Sequence, residues 1–208
     1  MPPRLDDCPI VAILRGIRPA EVLDIAQALI ASGVRAIEVP LNSPQPLESI
    51  RRLRESLGDA CLSGAGTVLE ADEVDAVHAA GGTLIVSPNT DAEVIRRAVE
   101  LRMTVVPGFA TASEAFTALS AGAAHLKLFP ASTYGPAHVK ALRAVLPSRT
   151  KIYAVGGVGA ATIGPWLEAG IDGIGAGSEL FKPGFAAKEV AERATALVAA
   201  FGSRQRCD

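Results

Sequence analysis

Eight short apolar, β-branched runs alternate with helical patterns along this chain, and that alternation constrains its fold more than any other feature. The runs are Ile10–Leu14, Ala36–Leu41, Cys61–Ala65, Thr83–Ser87, Met103–Pro107, His125–Phe129, Lys151–Val155 and Gly173–Ala176. They recur at roughly 20–27 residues, room for one strand, one helix and two short loops. Between them, Val22, Ile25, Ala26, Leu29 and Ile30 fall on one helical face. Thr90–Glu93 and Thr111–Glu114 have the spacing of capping boxes. Ser43-Pro44 predicts an N-cap followed by proline in the first turn. Gly33, Gly81, Gly122 and Gly170 each stand where a helix would close in the left-handed conformation before the next strand. Eight such units predict an α/β fold, a single-domain (βα)8 TIM barrel over residues 1–208. A doubly wound open sheet is the alternative. It fits less well, because ILRGIRP follows the first strand where a G-x-G-x-x-G turn would be expected.

Composition removes several classes of function. Of the 208 residues 49% are hydrophobic and 20% charged, the balance of a well-cored globular chain. A net charge of −2 offers no basic footprint for nucleic acid or a membrane surface. Cys8, Cys61 and Cys207 make neither a disulfide framework nor a zinc motif. The opening MPPRLDDCPIVAILRG is too short in its apolar run and too acidic for a signal peptide, so the expected location is cytoplasmic. His78, His125 and His138 are spaced for no common site at the strand ends, which disfavours a metal-dependent reaction. Arg51, Arg52 and Arg54 read as a solvated helix face, Trp166 as helix packing, and Gly202–Asp208 as a frayed tail.

Two strands carry a charge at mid-length. Parallel strands are covered on both faces and normally read as apolar runs. Alternation turns Ile37 and Val39 toward the helices and Glu38 inward; it turns Leu126 and Leu128 outward and Lys127 inward. These are the second and sixth of eight walls, opposite each other across a closed ring. A buried charge must be paired or shift its pKa, and desolvation makes a lysine a better amine nucleophile. A purely structural ion pair would satisfy the same pattern. Arg15 ends the first strand at the same rim and completes a Lys, Glu and Arg set suited to an anionic keto acid. Ala154–Val158 and Gly175–Ser178 end the seventh and eighth strands with glycine-rich turns. That is the frequent phosphate position of barrels, although tight turns without a ligand would look alike.

These segments together resemble the bacterial 2-keto-3-deoxy-6-phosphogluconate and -galactonate aldolases. The matching pieces are ILRG (Ile13–Gly16), IEVPLNSP (Ile37–Pro44), GAGTV (Gly64–Val68), VSPN (Val86–Asn89), PGFAT (Pro107–Thr111), LKLFPAS (Leu126–Ser132), AVGGV and GAGS. The resemblance implies a class I aldolase with Lys127 as the Schiff-base lysine and Glu38 as the general acid and base. It implies that Arg15 and Thr67 bind the pyruvyl end, and that Pro88 and Phe129 line the pocket. Gly156, Gly157, Gly177 and Ser178 would hold phosphate. It further implies a small-molecule substrate, no metal or other cofactor, and a homotrimer. VPLNSP after Glu38, and Val155 where the gluconate branch tends to have threonine, resemble the galactonate branch; valine has no hydroxyl to bond the substrate's C4 hydroxyl. A sugar-phosphate isomerase or epimerase barrel, or a non-catalytic sugar-phosphate binder, would share the phosphate loops and are the readings of other classes.

Overall fold

The computed structural model describes residues 3–202. Among these residues nine strands lie in one sheet: β1 Ile10–Ile13, β2 Ala36–Pro40, β3 Leu62–Gly66, β4 Leu84–Val86, β5 Thr104–Val106, β6 Gly108–Phe109, β7 His125–Leu128, β8 Lys151–Val155 and β9 Gly173–Ala176. Every pairing is parallel, in the order β5-β4-β3-β2-β1-β9-β8-β7-β6. The two ends of that order, β5 and β6, are consecutive in the chain and separated only by Pro107. Proline has no N–H to give to a ladder, so the wall breaks in two there. The Pro107 carbonyl still accepts the Lys127 N–H at 2.8 Å and closes the ring. The expected eight-walled barrel is therefore present, with its fifth wall in two pieces.

Helices cover the outside: α1 Val22–Ala31, α2 Pro46–Leu57, α3 Ala71–Ala79, α4 Ala92–Glu100, α5 Ala112–Ser120, α6 Ala131–Tyr134, α7 Pro136–Arg143, α8 Gly164–Glu168 and α9 Ala187–Gly202. The predicted face of α1 is the buried one: Val22, Ile25, Ala26 and Leu29 pack into the shell between strands and helices. A fully buried leucine in such a shell contributes about 1.5–3 kcal/mol. Gly33, Gly81, Gly122 and Gly170 have φ of +99°, +85°, +107° and +91°, the left-handed closure expected of them. Trp166 is buried in α8, and Arg51 and Arg52 pair with Glu48 on the exposed face of α2. Cys8 and Cys61 are buried free thiols; Cys207 and residues 203–208 lie outside the described residues.

Two predicted caps are corrected. The Thr111–Glu114 capping box is present, but α4 is capped by Asp91, whose carboxylate accepts the N–H groups of Glu93 and Val94. The Thr90 hydroxyl donates to the Gly108 carbonyl at 2.7 Å instead. Ser43 does not cap α2 either: Gln45 holds that position, and the Ser43 hydroxyl accepts the Gly16 N–H at 3.0 Å. In both cases a contact to a neighbouring loop replaces the local one.

The barrel interior is closed at its N-terminal end. Leu5 and Cys8 pack with Val11, Ala36, Leu62, Leu84, Val86, Val106 and Tyr153 in a second apolar cluster inside the strands. The Tyr153 hydroxyl points down into this floor, 2.7 Å from the Leu5 carbonyl oxygen and 3.1 Å from that of Cys8. What remains open is the C-terminal end, where the loops that follow the strands gather.

Candidate active site

Lys127 and Glu38 rise from opposite walls into the interior. Leu126 and Leu128, its neighbours in β7, belong to the outer shell, so the pleat sends Lys127 inward. Ile37 and Val39 do the same for Glu38. Lys127 is 6% exposed and Glu38 2%. Glu38 Oε2 is buried with no hydrogen-bond partner. Lys127 Nζ stands 4.8 Å from the centroid of the Phe129 ring. Both line one narrow cavity with Ile13, Val86, Val155 and Gly175. The close structural ion pair left open by the sequence is not formed, since neither group takes part in an ion pair within 4.0 Å among the described residues.

Burial pushes the Lys127 ammonium below the ordinary lysine range, with Arg15 adding to the shift and Glu38 opposing it. Burial pushes the Glu38 carboxyl above its ordinary range, against the pull of Lys127 and Arg15. Both shifts favour the neutral forms, an amine with a free lone pair facing a carboxylic acid with a proton to give. That combination can add an amine to a carbonyl and protonate the departing oxygen.

The room for the carboxylate comes from an absent side chain. A Cβ at Gly66 on β3 would stand 1.4 Å from Glu38 Oε2. Nothing in the sequence reading singled out Gly66 for that role, although alternation along Leu62–Gly66 turns it inward, two residues beyond Gly64, the register partner of Glu38. Gly175 does the same for Val155, whose Cγ2 would be 2.7 Å from a Cβ there.

Arg15 lies at the rim, exposed. Its Nη1 donates to Asn42 Oδ1 at 2.6 Å and its Nη2 to Thr67 Oγ1 at 3.4 Å. Thr67 has φ +58°, a conformation that costs a β-branched residue on the order of 1–3 kcal/mol. Pro88 is half-buried in the loop after β4, and Phe129 is exposed at the rim over Lys127. Val155 is buried within the cavity itself. Arg15, Glu38, Thr67, Pro88, Lys127, Phe129 and Val155 thus gather at one end of the barrel.

The glycine-rich turns gather there too. Gly156 and Gly157 take φ of +106° and +75°, which other residues rarely adopt. The Gly177 carbonyl accepts the N–H groups of Leu180 and Phe181, both at 2.8 Å, folding the chain into a turn with Ser178 exposed on it. The two loops touch, since a Cβ at Gly159 would lie 3.3 Å from Glu179 Cγ. Ser132, at the start of α6, donates its N–H to the Gly156 carbonyl at 3.1 Å and packs beside Gly157. The three histidines are scattered: His125 bonds Asp6 at the closed end, His138 bonds the Ala110 carbonyl, and His78 is exposed in α3. Among the described residues no group of three or more His, Cys, Asp or Glu could hold a metal ion. No helix of the described residues is long and apolar enough to cross a membrane.

This architecture has close counterparts. The 2-dehydro-3-deoxy-6-phosphogalactonate aldolase of Escherichia coli (strain K12) is 51% identical over 93% of this chain and 94% of its own. A 2-dehydro-3-deoxy-phosphogluconate aldolase of Pseudomonas aeruginosa is 36% identical over 72% of this chain and 68% of its own. Among solved structures, native KDPGal superposes with a TM-score of 0.92 at 51% identity, covering 94% of this chain and 95% of that one. A cube-shaped cage designed by fusing symmetric oligomeric domains contains a stretch that superposes at 0.94 and 50% identity, covering 96% of this chain and 74% of that one. The family model described as KDPG and KHG aldolase matches residues 2–197, and the chain belongs to that family of carbon–carbon lyases.

Proposed function

We propose that this aldolase reversibly cleaves 2-dehydro-3-deoxy-6-phospho-D-galactonate to pyruvate and D-glyceraldehyde 3-phosphate through a Schiff base on Lys127. The observation that carries the reading is a buried lysine without an ion-pair partner among the described residues, biased toward its neutral amine, across a narrow cavity from a carboxyl biased toward its acid. The Lys127 amine adds to the C2 carbonyl of the keto acid. Glu38, through a bridging water, gives a proton to the carbinolamine oxygen, which leaves as water and forms the iminium. The resulting carboxylate takes the proton of the C4 hydroxyl. The C3–C4 electron pair then flows into the iminium, releasing the aldehyde and leaving the enamine of pyruvate. Glu38 returns its proton to C3, and water hydrolyses the iminium to free pyruvate and the neutral amine, the proton released in that step returning to the Glu38 carboxylate.

In this reading the Arg15 fork and the Thr67 hydroxyl hold the keto acid's carboxylate. Pro88 and Phe129 wall the pocket, and Gly156, Gly157, Gly177 and Ser178 receive the phosphate. The galactonate assignment draws support from the greater identity to the relative of that name and from Val155 in the cavity, which has no hydroxyl for the C4 hydroxyl of the gluco epimer. A homotrimer in the cytoplasm belongs to the same proposal; the relation to a cage built from symmetric oligomeric domains supports an assembly.

Borohydride reduction in the presence of pyruvate, followed by peptide mass spectrometry, tests the mechanism. The expected adduct is on Lys127; an adduct on Lys140 or Lys151 instead, or none, refutes it. An isomerase, epimerase or passive binder would not be trapped. Cleavage of the galactonate and gluconate substrates side by side tests the branch, and equal rates would remove the galactonate assignment.

A further inference from the structure

Arg15 differs from most arginines of this protein in its partner. Arg18, Arg52, Arg97, Arg143 and Arg193 each pair with a carboxylate. Arg15 does not, among the described residues: its short contact is to the neutral amide oxygen of Asn42 at 2.6 Å, with the Thr67 hydroxyl at 3.4 Å on the other arm. The contact is part of a clasp between two loops. The next residue, Gly16, donates its N–H to Ser43 Oγ at 3.0 Å, so consecutive residues after β1 bond consecutive residues after β2. The two residues lie 27 positions apart in the chain.

We infer that Asn42 is a positioning residue, a neutral acceptor that aims the Arg15 guanidinium over the mouth while leaving its positive charge unspent for the substrate's carboxylate. The physical reason for an amide is charge balance. An unheld arginine on an exposed rim samples many rotamers and loses that freedom when it binds. A carboxylate in place of Asn42 would hold it equally well but would neutralise it, setting up a competitor for the incoming anion. An amide oxygen fixes one arm and carries no net charge. The Thr67 hydroxyl, turned up by its left-handed backbone, holds the other arm on the same terms.

This inference rests on the proposed role of Arg15 in binding the keto acid's carboxylate. Its test is steady-state condensation of pyruvate with glyceraldehyde 3-phosphate by the wild type, Asn42→Ala, Asn42→Asp, Arg15→Ala and the Arg15→Ala/Asn42→Ala double variant. Asn42 is exposed, so its substitutions leave the core intact. Asn42→Ala is expected to raise KM for pyruvate by about tenfold, the scale of a charge-assisted hydrogen bond that is no longer aimed. The KM for glyceraldehyde 3-phosphate and kcat should stay within about twofold, the signature of lost ground-state binding. Asn42→Asp should fail to restore the pyruvate KM, and Asn42→Ala should add nothing in the Arg15→Ala background. Rescue by aspartate would make Asn42 a simple loop tie and overturn the inference, as would an unchanged pyruvate KM in Asn42→Ala. An Arg15→Ala enzyme with the wild-type pyruvate KM would instead overturn the role given to Arg15, so the two failures are distinguishable.

Discussion

At the closed end of the barrel the Tyr153 hydroxyl is buried with two carbonyl oxygens within 3.1 Å, whereas toward the open end, among the described residues, Glu38 Oε2 is buried with no partner and Lys127 has no ion pair. Tyr153 and Lys127 are adjacent in register on neighbouring strands, β8 and β7, so the contrast develops over a single step of the wall. Leaving a buried polar atom unpaired costs about 1–3 kcal/mol. The closed end avoids that cost by drawing on the carbonyls of the Leu5–Cys8 segment beneath it. The open end accepts it, and its groups are pushed toward neutral forms as a result. Under the proposed function, the polar group of the lower layer serves stability and those of the upper layer await a ligand that supplies the missing partners.

The sharpest way to break this contrast is Lys127→Met. Under the proposed mechanism kcat should fall by at least about 10⁴-fold, as for loss of a covalent nucleophile. Thermal unfolding should occur at the same temperature or higher, because a buried polar amine without an ion-pair partner among the described residues is replaced by an apolar chain. A clear loss of stability would show that Lys127 supports the fold. Glu38→Gln comes next, with kcat expected to drop by about 10²–10⁴-fold, the range of general acid–base catalysis. It should also move a pH profile. Trapping by borohydride and pyruvate rises with pH as Lys127 loses its proton, at a pKa below the ordinary lysine value. Glu38 is the group that favours the ammonium, so removing it should shift the rise to still lower pH; a shift upward would contradict the assigned coupling. Gly66→Ala probes the same carboxylate from outside. The new methyl would occupy the Oε2 position, so activity should fall by about tenfold or more and stability by about 1–3 kcal/mol from overpacking. Equal activity would mean that Glu38 works equally well elsewhere. The smallest effect on turnover should come from Tyr153→Phe. The Leu5 and Cys8 carbonyls lose the shared hydroxyl donor, with Leu5 keeping the Cys8 N–H, so denaturant unfolding should show about 1–3 kcal/mol less stability, with kcat within about twofold.

The barrel was readable from the chain because each signal for it is local. Strand alternation, helix faces and closing glycines need only a few neighbouring residues, and the inward direction of Glu38 and Lys127 followed from the same period of two. What escaped that reading depends on residues far apart in sequence. Ser43 and Thr90 have the chemistry of caps, but their hydroxyls are engaged by Gly16 and Gly108 across neighbouring loops. Asn42 became significant only when β1 and β2 stood side by side and brought Arg15 to it. Gly66 carries no side chain, and its role is to leave room for a group on the adjacent strand. Side-chain direction within a strand is encoded locally; the partner a side chain meets is set by closure of the whole ring.

The packing of Leu5, Cys8 and Tyr153 under the strands also governs traffic. A barrel sealed from below is a well with a single door, and Lys127 stands at its bottom. Under the proposed chemistry the pyruvyl half of the substrate is bonded there, while the phosphate half spans the doorway formed by the loops after β8 and β9. Cleavage then leaves the two products in single file. The aldehyde must depart before pyruvate can be released, and in condensation pyruvate must enter first. The order that the covalent bond to Lys127 imposes on the kinetic steps is thereby matched by the shape of the barrel, whose apolar floor leaves both products the same way out.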